Sequence, residues 1–369
     1  MIYDLIIVGK GIAASTAIIS LLNSGKRIAV IAPDVKRNFK IGETLSPSSN
    51  LELKKLGIYD DFIKEGHLKA YSSFSAWGSE QLNEKYVWEA RQKAGWYIDR
   101  LKFEDFLWSK ARETNFDYIN NMLTTTDFND QIWEVKTKDG TYLKSHYILD
   151  CSGRSSTVVR NYSKRKRLDK LVSIYTVLEQ SSNLIQPTVA SLIESSENGW
   201  FYSSLTPNRK LVVAYFTDSD MIPKDITKNL KAWKLFIASS KYMSRRIETA
   251  QFTITQLPIT VDASTIISHD LNINSLLFAG DAIVSFDPLS SHGMTTALWS
   301  GRKAAEAYID LTKFSLIKLN NYKKTLQKGI DIYIEEKQKN YSREQRFSNN
   351  TFWKRRFITN KKEPNDLLS

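Results

Sequence analysis

The sequence predicts an α/β fold that is interrupted by mostly antiparallel sheet and closed by a helical C-terminal segment. Three observations carry this. Residues 2–32 read as strand, glycine loop, helix and strand. Residues 276–305 repeat a buried strand, a loop and a helix. Between them, residues 170–265 run mostly as alternating strand, with LVVAYF at 211–216 the clearest stretch. A chain of strands inserted into a βα alternation calls for a second sheet beside the first.

The elements follow in order. IYDLIIV at 2–8 is an apolar run without alternation, as expected of a parallel strand buried on both faces. Apolar residues at helical spacing over 12–24 end at Gly25, and RIAVIA at 27–32 is the second strand, which completes a βαβ unit. Leu51, Leu53 and Leu56 mark a short helix with Ser48 or Ser49 as its cap. Residues 71–90 read as strand with turns, and 101–113 as an amphipathic helix. Residues 131–136 and 141–150 form a hairpin around Asp139-Gly140. LLFAG at 276–280 is a buried strand. A helix follows Gly293, packed through Ala297, Leu298, Ala304 and Ala305, and the last 50 residues are helical, basic and aromatic.

The expected division has 1–65, 96–165 and 266–310 in a nucleotide-binding domain. Residues 66–95 and 166–265 form a sheet domain that carries the substrate, and 311–369 a C-terminal helical segment. The 369 residues are 42% hydrophobic and 25% charged, which excludes a disordered chain. The net charge of +12 reads as a solvated basic surface, because no nucleic-acid module accompanies it. One cysteine, Cys151, excludes an internal disulfide and is read as packing. No run of about 18 apolar residues spans a membrane. No targeting segment is visible, so a cytoplasmic location is expected. His67, His146 and His269 do not cluster, so no metal site is expected.

Two motifs carry chemistry. Gly9-Lys10-Gly11-Ile12-Ala13-Ala14 joins the first strand to the first helix. Gly9 permits the tight turn, Gly11 lets a pyrophosphate approach the backbone, and Ala14 stands where a third glycine packs helix on strand. The helix N-terminus offers its amides to the phosphates. The second strand should end in an acidic residue for the ribose. Ala32 occupies that place, so either Asp34 substitutes or the contact is lost. The second motif is Ala279-Gly280-Asp281-Ala282, followed by Asp287-Pro288-Leu289-Ser290-Ser291-His292-Gly293-Met294. Asp281 can bond a ribityl or ribose hydroxyl, and Pro288 stiffens the loop. Gly293 and Met294 begin a helix whose amides can meet the negative charge of a reduced isoalloxazine. Together the two motifs point to FAD. His292 faces the flavin as a proton donor or pocket wall, or else it is a polar loop residue bonded to backbone.

In these motifs and beyond them, the sequence resembles the FAD-dependent monooxygenase superfamily of aromatic hydroxylases, tryptophan halogenases and geranylgeranyl reductases, over nearly its whole length. Gly42-Glu43-Thr44-Leu45-Ser46-Pro47 resembles the GE…P segment of the halogenase-like branch. Trp96-Tyr97-Ile98-Asp99-Arg100 is similar to the segment whose arginine approaches FAD. Leu149-Asp150-Cys151-Ser152-Gly153-Arg154-Ser155 resembles DATGRSS. Arg343-Glu344-Gln345-Arg346-Phe347 and Phe352-Trp353-Lys354-Arg355-Arg356 are similar to small members that mature peptide-derived tryptophan quinone cofactors.

The resemblance implies a Rossmann-type FAD-binding domain of the glutathione-reductase-like, hydroxylase type, with the inserted sheet as substrate domain. Cofactor contacts are then expected from Gly9, Gly11, Ala14, Asp34, Gly42, Glu43, Arg100, Gly280, Asp281, Pro288, Gly293 and Met294. Trp200, Tyr202 and Phe74 are expected at the substrate, and Pro288, His292 and Glu43 at the chemistry. The branch's Trp-x-Trp-x-Ile-Pro signature is altered at Gly199-Trp200-Phe201-Tyr202-Ser203-Ser204-Leu205. Tyr71-Ser72-Ser73-Phe74 stands where the halogenase lysine should lie. The expected activity is therefore hydroxylation by dioxygen, through a flavin C4a-hydroperoxide, of an electron-rich aromatic such as indole, free or peptide-bound. Ser152-Gly153 replaces the Asp-Gly pair of NAD(P)H-using hydroxylases. NAD(P)H would thus act directly or through a separate flavin reductase. A halogenase, a dehydrogenase or reductase, and a non-catalytic nucleotide-binding interaction protein are the alternatives.

Overall fold

The computed structural model describes residues 2–357 apart from 37, 87–93, 182–183, 270 and 272. Ile2–Val8 is the central strand, parallel to Ile28–Ile31 on one side and to Tyr142–Asp150 on the other. Leu276–Phe278 runs parallel to the end of Tyr142–Asp150. The registers pair Val8 with Ile31 and with Asp150, and Asp150 with Phe278. Four strands therefore end at one edge, where ligands bind in open α/β sheets. Asp117–Ile119 extends the sheet beyond Ile28–Ile31, and the antiparallel pair Ile132–Thr137 and Leu123–Asn129 extends it beyond Tyr142–Asp150.

The helices Ile12–Ser20 and Gly293–Leu311 pack on each other at this sheet. Gly301 sets their spacing: a Cβ there would lie 2.3 Å from the Ala13 carbonyl oxygen. Ala13 and Ala14 on the facing helix are correspondingly small and buried.

The second sheet has eight strands and centres on Leu171–Gln180, Leu211–Asp218, Gly199–Leu205 and Ala190–Ser196, joined antiparallel. Side chains alternate between its faces. Phe201, Val213 and Tyr215 point to one cluster with Trp233, Ile237 and Met243. Trp200, Ala214 and Phe216 point to another with Tyr341, Phe352 and Trp353 of the C-terminal segment. That segment comprises the helices Ile317–Ser342 and Thr351–Phe357. Arg356 donates to Asp218 at 2.9 Å, which ties the helix Thr351–Phe357 to the sheet. Among the described residues no helix is long and apolar enough to cross a membrane.

Several local expectations are corrected. Residues 166–265 are not all strand: Leu230–Ala238 and Tyr242–Thr249 are helices. Asn229 caps the first, accepting from Lys231 N and Ala232 N, and Leu230, Trp233 and Ile237 follow helical rather than alternating spacing. The first helix stops at Ser20 instead of reaching Gly25, because Leu21 bonds back to the Ala17 and Ile18 carbonyls and Asn23 and Gly25 take positive φ. Ser48 does not cap the helix Ser49–Lys55: its hydroxyl pairs with that of Ser46 at 2.8 Å, and the Ser49 hydroxyl has no partner. The strands Ser72–Ala76 and Asn83–Tyr86 realise the expected 71–90 stretch up to 86; 87–90 lie outside the described residues, as does the tail beyond 357. Leu68–Ala70 pairs antiparallel with Gly95–Tyr97.

Replacing Gly301 by Ala forces the two helices apart. It should lower stability by about 1–3 kcal/mol, measured as a reduced urea midpoint with unchanged slope. An unaltered midpoint would show that this approach is not a constraint.

Candidate functional site

At the common strand edge lies a cleft of 920 Å³, bordered by Gly9, Gly11, Ile31, Asp34, Ser152 and Arg160. Gly9 has φ +117°, and a Cβ there would meet the Cys151 carbonyl oxygen at 2.4 Å. The turn is thus closed to any other residue. A Cβ on Gly11 would meet nothing within 4 Å, so this backbone faces open space. No side chain caps the helix that starts at Ile12, which leaves its first amides for an acceptor from outside. Asp34 sits on the rim. Its Oδ1 takes Lys10 Nζ at 2.6 Å and the Tyr118 hydroxyl at 2.8 Å. The Lys10 hydrogen bond, then Tyr118, hold this carboxyl below its ordinary value. Both bonds fall on one oxygen, so Oδ2 is available to a ligand hydroxyl.

Residues 40–42 and the start of the helix Arg100–Ala111 lead from the cleft to a second space of 210 Å³. Gly42 has φ +116°, and a Cβ there would strike Arg100 Nη1 at 2.4 Å. Arg100 donates to the Ile41 carbonyl at 3.0 Å and to Glu104 at 3.0 Å, while Lys40 holds Glu104 at 2.7 Å. Glu43 is buried, and its Oε1 accepts the Gly42 amide at 2.8 Å. Burial pushes its carboxyl up to about 7, against the opposing pull of two backbone amides and Arg100. Tyr202 contributes its hydroxyl, 2.9 Å from Thr44 Oγ1.

The opposite wall is the loop that carries Asp281 and residues 286–294. Burial raises the Asp281 carboxyl although Arg154, at 3.6 Å, and the more distant Arg100 and Lys40 lower it. Asp287 caps Leu289 N at 2.9 Å, and Pro288 follows at the first position of a short 3₁₀ turn. The helix Gly293–Leu311 then starts without a side-chain cap and with its N-terminus at the cavity. On the far side of the same loop is another cavity of 430 Å³, walled by Phe286, Trp299, Ile332, Tyr333 and Lys337. Phe286, Asp287, Ser290 and His292 border both cavities.

The structure brings Gly42, Glu43, Arg100, Trp200, Tyr202, Asp281, Pro288, His292, Gly293 and Met294 around one cavity. Gly9, Gly11 and Asp34 border the cleft. Three expected residues fall elsewhere. Ala14 is fully buried in the core below the cleft, where it serves packing. Gly280, at φ +62°, packs on Ala13 and Ala297 rather than lining the cavity. Phe74 lies among the residues packed on the opposite face of the second sheet, because the strand Ser72–Ala76 pairs so that it neighbours Leu192 there.

Sequence reading gave no role to Lys40, Thr44, Arg154, Arg160 or Tyr341. Thr44 and Arg154 stand inside quoted segments without a role of their own, and Lys40, Arg160 and Tyr341 belong to no quoted motif. Asp150 and Ser152 are used internally. Asp150 accepts from Ser152, Val158 and Val159 amides, and Ser152 Oγ donates to it at 2.6 Å. Among the described residues no group of His, Cys, Asp and Glu is arranged to hold a metal ion.

An elongated cleft with an open glycine backbone, leading to a cavity at a second uncapped helix, fits a dinucleotide with a flat, charge-accepting end. These features fit an FAD-dependent oxidoreductase. The chain belongs to the tryptophan halogenase family, whose model matches residues 83–366. It is similar to LodB of Marinomonas mediterranea, designated an FAD-dependent oxidoreductase, with 25% identity over 96% of both chains. The 1H-pyrrole-2-carbonyl-[peptidyl-carrier protein] brominase of Pseudoalteromonas luteoviolacea is 23% identical over 83% of this chain and 77% of its own. Among solved structures, the myxobacterial chondrochloren halogenase CndH superposes with a TM-score of 0.86 at 18% identity, covering 98% of this chain and 87% of its own. The peptidyl tryptophan dihydroxylase QhpG, named as essential for tryptophylquinone cofactor biogenesis, gives 0.76 at 17% identity over 96% and 79%. Both share the fold.

Glu43 binds its proton more tightly folded than unfolded, so the folded protein loses stability as pH rises from about 4.5 to about 7. Glu43→Gln should remove that slope and gain up to roughly 3 kcal/mol above pH 7. Urea titrations at pH 4.5 and 8 check this; equal wild-type and variant differences between the two pH values would contradict it.

Proposed function

We propose that this protein is a monooxygenase which hydroxylates an electron-rich aromatic ring, with indole, free or peptide-bound, as the leading substrate. The observation that carries this reading is the wall of the flavin cavity. Trp200 stacks on Phe216 at 3.9 Å and 15°, and Tyr202, Arg100 and Arg154 line the same cavity. An aromatic wall can hold a flat ring directly against the reacting edge. No lysine borders this cavity among the described residues. Lys337, on the far side of the loop, is committed to Asp169 at 2.5 Å and Thr265 at 2.7 Å.

FAD would supply dioxygen activation. The chain's own groups would hold and tune it. Gly11 and the first helix receive phosphate, and Asp34 Oδ2 a ribose hydroxyl. Asp281, braced by Arg154 at 3.6 Å, would hold a hydroxyl of the ribityl chain. The N-terminus at Gly293 stabilises negative charge at the ring. Glu43 titrates near neutrality and can take or give a proton at the cavity. Tyr341, Phe352 and Trp353 close the substrate sheet against water. The Ser152 hydroxyl also accepts the Thr157 amide at 2.7 Å, so it is committed within its own turn. Reducing equivalents are assigned to a separate flavin reductase.

Halogenation is the second reading. The names of the relatives favour it, and so does the aromatic cavity beyond the loop, which could hold a substrate out of contact with the flavin.

Protein, FAD, a flavin reductase, NADH and candidate indoles under isotopically heavy dioxygen should yield a product with one heavy oxygen atom, with or without halide. A product that forms only with bromide or chloride and carries the halogen overturns hydroxylation. Alone, the protein should oxidise NADH slowly. Gly329 borders the far cavity, and a Cβ there meets nothing within 4 Å. Gly329→Phe should therefore leave hydroxylation and FAD absorbance unchanged, but should raise KM sharply if the substrate sits beyond the loop.

A further inference from the structure

An unbroken series of oxidisable side chains leads away from the flavin cavity. Trp200 borders the cavity and donates its indole N–H to the Tyr341 hydroxyl at 3.2 Å. The Tyr341 hydroxyl donates in turn to Asp287 Oδ2 at 2.8 Å. Trp77 lies edge-on to Tyr341, with ring centroids 5.7 Å apart, and to Trp200 at 6.2 Å. Trp200 and Tyr341 are 1% exposed, whereas Trp77 is only partly buried and sits at the surface end.

We propose that Trp200, Tyr341 and Trp77 form a one-electron relay that carries oxidising equivalents from the flavin cavity to the surface. The proposal rests on the reading that FAD occupies that cavity. The oxidant is a light-excited flavin or an oxygen-derived radical formed there in turnover without substrate. It takes one electron from Trp200 and leaves an indole radical cation. Tyr341 returns one electron to Trp200 and passes its phenolic proton to the Asp287 carboxylate.

Transfer of the proton is required. The Arg356 guanidinium lies 5.0 Å from the centre of the Tyr341 ring, and a cation there disfavours positive charge on the ring. Trp77 then gives one electron to the tyrosyl radical, and the proton returns from Asp287 to the phenol oxygen. The radical on Trp77 is refilled by one electron from an exogenous thiol or ascorbate. Over the cycle that reductant loses one electron and the oxidant gains one. All three protein side chains are restored.

Trp77 also donates its indole N–H to the Asn340 carbonyl at 2.8 Å, which fixes the ring at the surface end.

The test uses FAD-loaded full-length protein, with flavin uptake first confirmed by absorbance. After a blue flash, wild type should give a long-lived tryptophan radical that ascorbate removes. Trp77→Phe should leave a tyrosyl signal instead. Tyr341→Phe should abolish the tyrosyl intermediate and leave only the direct step between the Trp200 and Trp77 rings, 6.2 Å apart, so that the Trp77 radical appears several-fold more slowly. Wild type alone gives a second readout that needs no variant: mapping of oxygen adducts by mass spectrometry after prolonged illumination. Adducts should concentrate on Trp77. Adducts on Trp200 with none on Trp77, or radical kinetics unchanged in both flavin-bound variants, overturn the relay while leaving the FAD reading intact. A protein that takes up no flavin overturns both.

Discussion

The buried carboxylate of Asp287 fixes the loop on which the rest of the site depends. It accepts from the Tyr341 hydroxyl at 2.8 Å and from the Leu289 amide at 2.9 Å, and it stands 3.6 Å from Lys337 Nζ. Its own amide donates to the Tyr333 hydroxyl at 2.7 Å. Burying a carboxylate is tolerable only when such partners surround it. Three of the four groups belong to the helix Ile317–Ser342, so the C-terminal segment and the flavin loop hold each other in place. The same contact separates the two cavities and fixes where the Gly293 helix points.

Close backbone approaches do the corresponding work at the other end. Gly9 against Cys151, Gly42 against Arg100 and Gly301 against Ala13 are positions where a single methyl group has no room. They draw the strand ends, the Arg100 side chain and the two helices close enough to leave one continuous path from cleft to cavity. The positive side chains along that path are neutralised in part by Glu104, Asp34 and Asp281. The remaining cationic character suits a ligand with phosphates and a ring that becomes negative on reduction.

The regular parts of the fold were legible in the sequence because each depends on local pattern. The unalternating run at 2–8, the Asp139-Gly140 turn and the strand-to-loop change at 276–293 all stand where expected. The inserted helices over 230–249 were missed because the surrounding alternation masked a helical spacing seeded by Asn229. Phe74 was misplaced for a similar reason. Which face of a strand a residue occupies depends on register with its neighbours, and the parallel pairing with Ala190–Ser196 bridges more than a hundred residues of chain.

By itself the sequence determined the βαβ unit, the two glycine-bearing loops and the presence of a second sheet, since turn chemistry and hydrophobic period are local properties. It also marked ten of the residues that border the cavity. Only the tertiary structure decided that Glu43 is buried beside Arg100 and Tyr202, that Asp34 shares its carboxylate with Lys10 and Tyr118, and that Asp287 anchors the C-terminal helix. Those outcomes depend on desolvation and on pairings between distant segments, and neither is written in any single stretch of residues.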